Sequence, residues 1–191
     1  IEHFYPQLLP HLSTCKSPQQ MFGALAKTYY AEKAGIDPKD IFVVSIMPCT
    51  AKKYECEREE MSCVEGEQDV DVVLTTRELG KMVREMGLDF ANLQDEEYDS
   101  PLGMSTGAAV IFGATGGVME AALRTVYEVV TGQTLECVDF QDVRGLEGVK
   151  EATVQVGDLP VKVAIANGLA NARTLMEKIV NGEADYAFVE I

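Results

Sequence analysis

The spacing of apolar and polar positions changes several times along the chain, which predicts alternating helices and strands. Ser17 can cap a helix that begins at Pro18, with Gln20 completing a capping box. Apolar residues then recur at helical spacing as far as Gly35, where the helix should end. Residues 41–46 form a short apolar run rich in β-branched side chains, which is typical of a buried parallel strand.

The alternation continues to the end of the sequence. We predict a strand at residues 70–74, a helix at 76–87 capped by Thr76, a helix at 118–130, a hairpin at 152–166, a helix at 168–181 and a strand at 186–191. Together these elements predict an α/β fold: a mixed, mostly parallel sheet flanked by helices, with one β-hairpin. Functional loops in such folds lie at the carboxyl ends of the strands.

Composition narrows the classes of function. With 191 residues, of which 47% are hydrophobic, the chain can bury the core of one domain or of two small lobes. We find no apolar run of about eighteen residues that would cross a membrane. The net charge of -15 argues against a nucleic-acid partner, because a polyanion would be repelled. The acidic stretch at residues 55–71 is interpreted as a solvated surface rather than a metal site.

Five cysteines are present, at positions 15, 49, 56, 63 and 137. An odd number in a chain that shows no secretory signal favours reduced thiols or metal ligands over a disulfide framework. Cys49, Cys56 and Cys63 recur every seven residues and would share one face of a continuous helix. This spacing matches neither zinc sites nor ferredoxins, so Cys15, Cys56, Cys63 and Cys137 are interpreted as ordinary small residues or free thiols.

The strongest candidate for chemistry is the segment Met47-Pro48-Cys49, which comes directly after the first apolar run. Lys52 follows three residues after the thiol, and Glu55 three residues after that. A nearby cation favours the thiolate form of a cysteine, which is the nucleophile and the metal ligand. From the residues alone, an incidental cysteine at the end of a strand is an equally good interpretation.

The pattern Met-Pro-Cys-x-x-Lys-x-x-Glu resembles the second signature of the [FeFe]-hydrogenases, which interconvert protons, electrons and molecular hydrogen. The resemblance implies that Cys49 ligates the cubane of the H-cluster, a [4Fe-4S] unit bridged to a diiron centre with CO, CN and azadithiolate. It implies that Lys52 donates a hydrogen bond to a cyanide and that Met47 packs beside the diiron unit. Glu55 would be a carboxylate that contacts these residues rather than the cluster itself. The alternatives are a surface lysine, core filling and a surface charge.

Two further segments resemble the same family. Ser13 matches a serine of its proton route, and Pro18 and Gln19 match residues that line the diiron pocket. Phe112 would form a wall of that pocket, followed by the glycine-rich residues 113–117. The alternatives are a turn serine, a proline that only starts a helix, and glycines that allow close helix–strand packing. The glycine-rich segment lacks the lysine ending of a phosphate loop, which weakens the case for nucleotide binding.

In this family, the first and third cysteine signatures should lie outside residues 1–191. We therefore expect a partial H-cluster domain of a longer cytoplasmic enzyme, inactive as this chain alone. The resemblance also implies accessory ferredoxin-like domains, with ferredoxin or NADH-linked subunits as electron partners. Two alternatives stay open: a hydrogenase-like protein of iron-sulfur cluster assembly that lacks a diiron centre, and a sensory homologue that binds the cluster but turns over slowly.

Overall fold

The computed structural model describes residues 1–135, 137–138, 141–142 and 147–191. The chain divides into two compact units. The first contains Ser13–Gly103, and the second combines Ile1–Leu12 with Met104–Ile191. We call them the signature unit and the hairpin unit, after the cysteine signature and the β-hairpin that they contain. Among the described residues, no helix is long and apolar enough to cross a membrane.

The signature unit contains two parallel strands and four α-helices. In chain order these are α1 (Pro18–Leu25), α2 (Ala31–Ala34), β1 (Val44–Met47), α3 (Ala51–Cys56), β2 (Val72–Thr75) and α4 (Thr76–Glu85). A π-helical segment, Ala26–Tyr30, joins α1 to α2, so the predicted helix is continuous until Gly35 adopts a left-handed conformation. Val44 pairs with Val72, and Met47 pairs with Thr75. The predicted parallel arrangement of the first two strands is confirmed.

The first strand is shorter and less buried than predicted. The Asp71 side chain accepts a hydrogen bond from the backbone N–H of Val43 at 2.6 Å, so this N–H has a side-chain partner just before β1 begins. Val43 and Ser45 are each only 9% exposed, whereas Ile46 is 47% exposed. Within β1, Ser45 is buried and Met47 is partly buried, whereas Val44 and Ile46 on the other face are exposed, which fits the two-residue period of a strand.

The two helix caps predicted from the sequence differ in detail from those in the structure. Ser17 caps α1 by accepting from the backbone N–H of Gln20, as predicted, at 3.4 Å. The side chain of Gln20 does not complete a capping box, because both of its polar atoms are buried without a hydrogen-bond partner among the described residues. The cap of α4 is Thr75 rather than Thr76, and Thr75 forms a complete capping box with Glu78.

The described residues of the hairpin unit form three α-helices and a four-stranded sheet. Its elements are α5 (Gly107–Ile111), α6 (Gly117–Thr131), β3 (Gln141–Asp142), β4 (Val149–Val156), β5 (Leu159–Ala166), α7 (Leu169–Val180) and β6 (Phe188–Glu190). Strands β4 and β5 form the predicted hairpin, with Val156 opposite Leu159 across a two-residue turn. Its core contains Met119 of α6 and Val163 and Ile165 of β5, each at most 2% exposed.

The mixed α/β fold class is confirmed, although the strands do not form one sheet. Strands β1 and β2 form a parallel pair in the signature unit, and β3-β4-β5-β6 form the sheet of the hairpin unit. In that sheet β5 and β6 are parallel, whereas β3/β4 and β4/β5 are antiparallel. Parallel pairs therefore do not dominate among the described strands. Alternation of helices and strands predicted the class but could not assign strands to sheets.

Candidate functional site

Cys49 lies in the turn between β1 and α3, directly beyond the carboxyl end of the strand, as predicted. Its thiol is exposed and takes no part in a disulfide. Because β1 ends at Met47 and α3 begins at Ala51, the thiol lies in a three-residue connection at the strand end. A thiol at such an edge is accessible to a metal centre or to an electrophile.

Glu55 lies one helical turn from Lys52 on α3 and gathers several polar side chains. Its Oε2 atom accepts hydrogen bonds from Ser17 Oγ at 3.0 Å and from Gln19 Nε2 at 3.1 Å. Lys52 Nζ donates to the same oxygen at 3.3 Å. The side chains of Lys52 and Glu55 are each 25% exposed. Glu55 is therefore a partly buried acceptor that fixes the lysine, rather than a surface charge.

Gln19 connects the three elements around this carboxylate. Its Oε1 atom accepts from the hydroxyl of Ser45 on β1 at 2.7 Å, and both residues are buried. Its Nε2 atom donates to Glu55 and also approaches the carbonyl oxygen of Lys52 at 3.4 Å. Gln19 thereby ties the start of α1 to β1 and to α3. We call the set Ser17, Gln19, Ser45, Lys52 and Glu55 the polar cluster.

The other predicted residues of the signature unit have less distinctive surroundings. Met47 is partly buried and packs against the apolar core of the unit, as the core-filling alternative states. Pro18 occupies the first turn of α1 and is exposed, which suits a helix start. Ser13 is exposed, and its hydroxyl accepts from the backbone N–H of Cys15 at 3.1 Å, which is the behaviour of a turn serine.

Phe112 and the glycine-rich segment belong to the hairpin unit. Phe112 caps the end of α5 and is 39% exposed. A Cβ on Gly117 would lie 1.7 Å from the carbonyl oxygen of Ile111, so only glycine allows α5 and α6 to approach so closely. A Cβ on Gly116 would lie 2.5 Å from Ile165 on β5. The contact of Gly116 supports the helix–strand packing alternative, whereas Gly117 allows close packing of two helices.

The start of α6 is anchored by a residue that the sequence did not single out for this role. The carboxylate of Glu190 on β6 accepts from the backbone N–H of Gly116 at 2.9 Å and from that of Met119 at 2.6 Å. A carboxylate at this position satisfies free helix N–H groups and interacts favourably with the positive end of the helix dipole. No sequence pattern could pair these residues, because they are more than seventy positions apart.

The residues around Cys49 provide some of the groups that an iron-sulfur centre requires. Cys49 supplies an accessible sulfur, and Lys52 has donor hydrogens beyond the one directed at Glu55, since an ammonium carries three. Among the described residues, no group of three or more His, Cys, Asp or Glu side chains is arranged to hold a metal. The site therefore fits one thiolate ligand and one cationic donor, and a [4Fe-4S] unit needs further cysteines from elsewhere.

A family model described as the iron only hydrogenase large subunit, C-terminal domain, matches residues 1–191. The chain belongs to the iron-only hydrogenase family. It is 60% identical over 186 residues to the NADP-reducing hydrogenase subunit HndD of Solidesulfovibrio fructosivorans, covering 97% of this chain and 32% of that protein. It is 54% identical over 189 residues to the periplasmic [Fe] hydrogenase large subunit of Nitratidesulfovibrio vulgaris, covering 99% of this chain and 45% of that protein.

Solved structures of the family support the same assignment. The chain superposes on a variant of the apo [FeFe]-hydrogenase of Chlamydomonas reinhardtii with a TM-score of 0.82 and 43% sequence identity, covering 98% of this chain and 54% of that one. Iron-sulfur assembly proteins are more distant: the mouse cytosolic iron-sulfur assembly component 3 is 30% identical over 188 residues. The chain spans less than half the length of the curated hydrogenases that it matches.

The sequence patterns identified Gln19, Lys52 and Glu55 but missed the contacts of Ser17 and Ser45 in the polar cluster. Ser17 was identified only as a helix cap, yet it also donates to Glu55. Ser45 could have been recognised, because a lone hydroxyl in an apolar strand needs a buried partner. Lys27 could have been recognised in the same way, because a cation in a largely apolar helix also needs a buried partner. Its side chain is 1% exposed, and its ammonium pairs with Asp71 at 2.8 Å.

Proposed function

We propose that this chain forms part of the catalytic domain of an enzyme that reversibly reduces protons to molecular hydrogen. The proposal rests chiefly on one observation: the complete Met47 to Glu55 signature has its thiol exposed at a strand end and its lysine held by the polar cluster. The family match over the whole chain supports it. Because the chain spans only part of its relatives, the activity is proposed for the longer protein that contains it.

In that protein, Cys49 is proposed to supply one thiolate to the [4Fe-4S] part of an H-cluster. When bound, the diiron part with its CO, CN and azadithiolate groups supplies the bond-making chemistry of hydrogen. The chain's own residues position and shield it. Met47 would place its polarizable thioether beside the diiron part, and Pro18, Gln19 and Phe112 would line its pocket. Ser13 would relay protons, since a hydroxyl both donates and accepts.

Lys52 is proposed to donate a charge-assisted hydrogen bond to a cyanide of the diiron part. Glu55 accepts a hydrogen bond from the ammonium, and Glu55 is itself held by Ser17 and Gln19. A donor fixed in this way needs little reorganisation when its acceptor binds. The three hydrogen bonds to Glu55 therefore support a positioning role for this carboxylate, which acts through Lys52.

The rival function is iron-sulfur cluster assembly without a diiron centre. The higher identity to hydrogenases, 60% against 30% for the assembly protein, favours the hydrogenase. Ferredoxin, NADH-linked subunits and accessory ferredoxin-like domains are proposed as electron partners, in keeping with a relative that is named as a subunit of an NADP-reducing hydrogenase. A cytoplasmic location stays a prediction, since another relative is named periplasmic.

The proposal is tested by Lys52→Ala in the intact, fully matured protein. A hydrogen bond to a charged group contributes about 1.5 to 3 kcal/mol. We expect the variant to retain less of the diiron part and to shift its CN and CO infrared bands. Lys52→Arg should restore these only partly, because a planar guanidinium cannot replace a compact ammonium in a tight pocket. Cys49→Ala should lower the iron and sulfide content of the cubane.

Lys53 offers a matched control on the same helix. Its ammonium contacts both carboxylate oxygens of Glu78, at 2.8 and 2.9 Å, instead of the polar cluster. Lys53→Ala should leave occupancy, infrared bands and turnover unchanged. If Lys52→Ala behaves like Lys53→Ala in all three measurements, the role proposed for Lys52 is wrong. A wild-type protein with a cubane but no diiron bands would favour the assembly function instead.

A further inference from the structure

A second thiol of the signature unit lies in a different chemical environment from Cys49. The ammonium of Lys16 approaches Cys63 Sγ at 3.4 Å and also forms an ion pair with the carboxylate of Asp69. Cys63 Sγ in turn lies 3.4 Å from Asp69 Oδ2. The Asp69 side chain is 1% exposed, that of Lys16 is 22% exposed, and Cys63 is exposed to solvent. A thiol, an amine and a carboxylate therefore meet at the surface.

This arrangement is held by the backbone. The backbone N–H of Cys63 donates to Asp69 Oδ1 at 2.8 Å, and that of Asp69 donates to the carbonyl oxygen of Met61 at 3.1 Å. The hydroxyl of Ser62 donates to the carbonyl oxygen of Glu67 at 2.6 Å and closes the same loop. These bonds fix the thiol beside the buried carboxylate, and the carboxylate draws the Lys16 ammonium to the thiol.

We propose that peroxide oxidation joins Cys63 Sγ to Lys16 Nζ in a covalent bond. Hydrogen peroxide first oxidises the thiol to a sulfenic acid and is reduced to water. The ammonium then loses a proton, for which the Asp69 carboxylate is the contacting acceptor. The amine nitrogen attacks the sulfur, the S–O bond breaks, and the hydroxyl leaves as water with that proton. The nitrogen then releases its second proton to solvent, which leaves a neutral S–N bond. One thiol, one amine and one peroxide thus give one S–N bond and two waters.

The contacts of Cys56 and Cys63 differ in ways that favour the reaction at Cys63. The thiol of Cys56 is buried and donates to the carbonyl oxygen of Lys53 at 3.1 Å, so neither peroxide nor an amine reaches it readily. Burial also raises the pKa of the Cys56 thiol, with a smaller contribution from Glu57, which disfavours its reactive thiolate. Among the described thiols, Cys63 has a lysine nitrogen as a hydrogen-bond partner.

The reduced state is stable without the bond. Burial alone would lower the pKa of Lys16, but its hydrogen bonds to Asp69 and Cys63 outweigh that effect and raise the pKa above its ordinary value. The amine therefore stays charged and paired until the sulfur is oxidised. Once formed, the bond would tie residues 47 positions apart, next to Ser17 of the polar cluster.

The test is peptide mapping of the intact protein after treatment with hydrogen peroxide and alkylation of the remaining thiols. We expect a pair of linked peptides, one with Lys16 and one with Cys63, about 2 Da lighter than the two reduced peptides together. A thiol reductant should reverse the link. Lys16→Arg keeps a cation beside Asp69 but removes the amine. It should abolish the link and leave a sulfenic acid at Cys63, which a dimedone probe captures.

Two further variants separate the alternatives. Lys53→Arg changes a lysine that pairs with Glu78 and should form the link at the wild-type level. Cys15→Ser removes the thiol next to Lys16 in the sequence and should also leave the link intact. The proposal is overturned if the wild type yields only sulfenic or sulfinic acid at Cys63. It is equally overturned if the linked peptides prove to be a Cys15–Cys63 disulfide that Cys15→Ser abolishes.

Discussion

The two units of the chain are stabilised by different kinds of contact. Among the described residues of the hairpin unit, the fully buried side chains are apolar, such as Met119, Val163 and Leu175, each with 0% exposure. In the signature unit, the fully buried side chains include Lys27 and two other polar residues, Gln20 and Asp69. Contacts between apolar side chains have little directional preference, whereas hydrogen bonds and ion pairs fix the orientation of each group.

The difference has a functional meaning for the unit that holds the signature. Lys52 reaches its position through Glu55, Ser17 and Gln19, and each of these contacts has a defined donor and acceptor. Polar contacts of this kind contribute modest net stability but are costly when one partner is lost. We therefore expect the signature unit to be more sensitive to removal of single charges, and the hairpin unit to be more sensitive to removal of single methyl groups.

The largest effect should come from Lys27→Met. The ammonium of Lys27 contacts Asp71 Oδ1 at 2.8 Å and the carbonyl oxygen of Gln68 at 2.6 Å, and its side chain is 1% exposed. Removing one partner of a buried ion pair costs about 3 to 5 kcal/mol, because the other charge is left uncompensated. The free energy of unfolding in urea measures this loss.

An exposed lysine of the same unit provides the control. Lys81 is 70% exposed and lies 3.6 Å from Glu85, so Lys81→Met should cost less than about 0.5 kcal/mol. Lys27→Met combined with Asp71→Asn should recover part of the lost stability, since no unpaired charge remains. Equal effects of Lys27→Met and Lys81→Met would show that the signature unit does not depend on its buried ion pair.

In the hairpin unit, Ile165→Ala tests the apolar core. Ile165 is 2% exposed and packs with Met119 and Val163. Truncation of a buried isoleucine costs about 2 to 5 kcal/mol, depending on how far the cavity collapses. Leu159→Ala on the same strand, where the side chain is 70% exposed, should change the free energy of unfolding by no more than about 0.5 kcal/mol. Similar losses for both variants would contradict the assignment of the core.

Glu55→Ala tests the polar cluster and should have an intermediate effect. The variant leaves Ser17, Gln19 and Lys52 without their shared acceptor. A lost buried partner costs about 1 to 3 kcal/mol, and the lower half of that range is expected because Glu55 is 25% exposed. Glu59→Ala, at an exposed carboxylate, is the control for urea unfolding. A cluster of no structural importance would show equal midpoints for the two variants.

Local sequence patterns predicted the elements better than the contacts between them. The hairpin, the cap at Ser17 and the position of Cys49 depend on residues close in sequence, so turn and capping preferences predicted them. The partition of strands into two sheets and the polar contacts of Gln19 join residues far apart. Such contacts follow from packing of the whole unit, and one sequence carries little information about them.

Glu78 at the start of α4 should produce the smallest effect, visible mainly through pH. Hydrogen bonds from Lys53, and then from Thr75, lower the pKa of Glu78 from 4.5 to about 2. A carboxyl group whose pKa is lowered in the folded state stabilises the fold when the pH is above the pKa of that group in the unfolded chain. This contribution is lost as the pH falls toward the folded-state pKa of about 2. Glu78→Gln should therefore lower Tm near neutral pH, and the difference from wild type should shrink below pH 4.5.

Glu85→Gln, on the same helix and 67% exposed, is the control. A Tm difference that stays constant between about pH 7 and about pH 3 would show that Glu78 titrates normally.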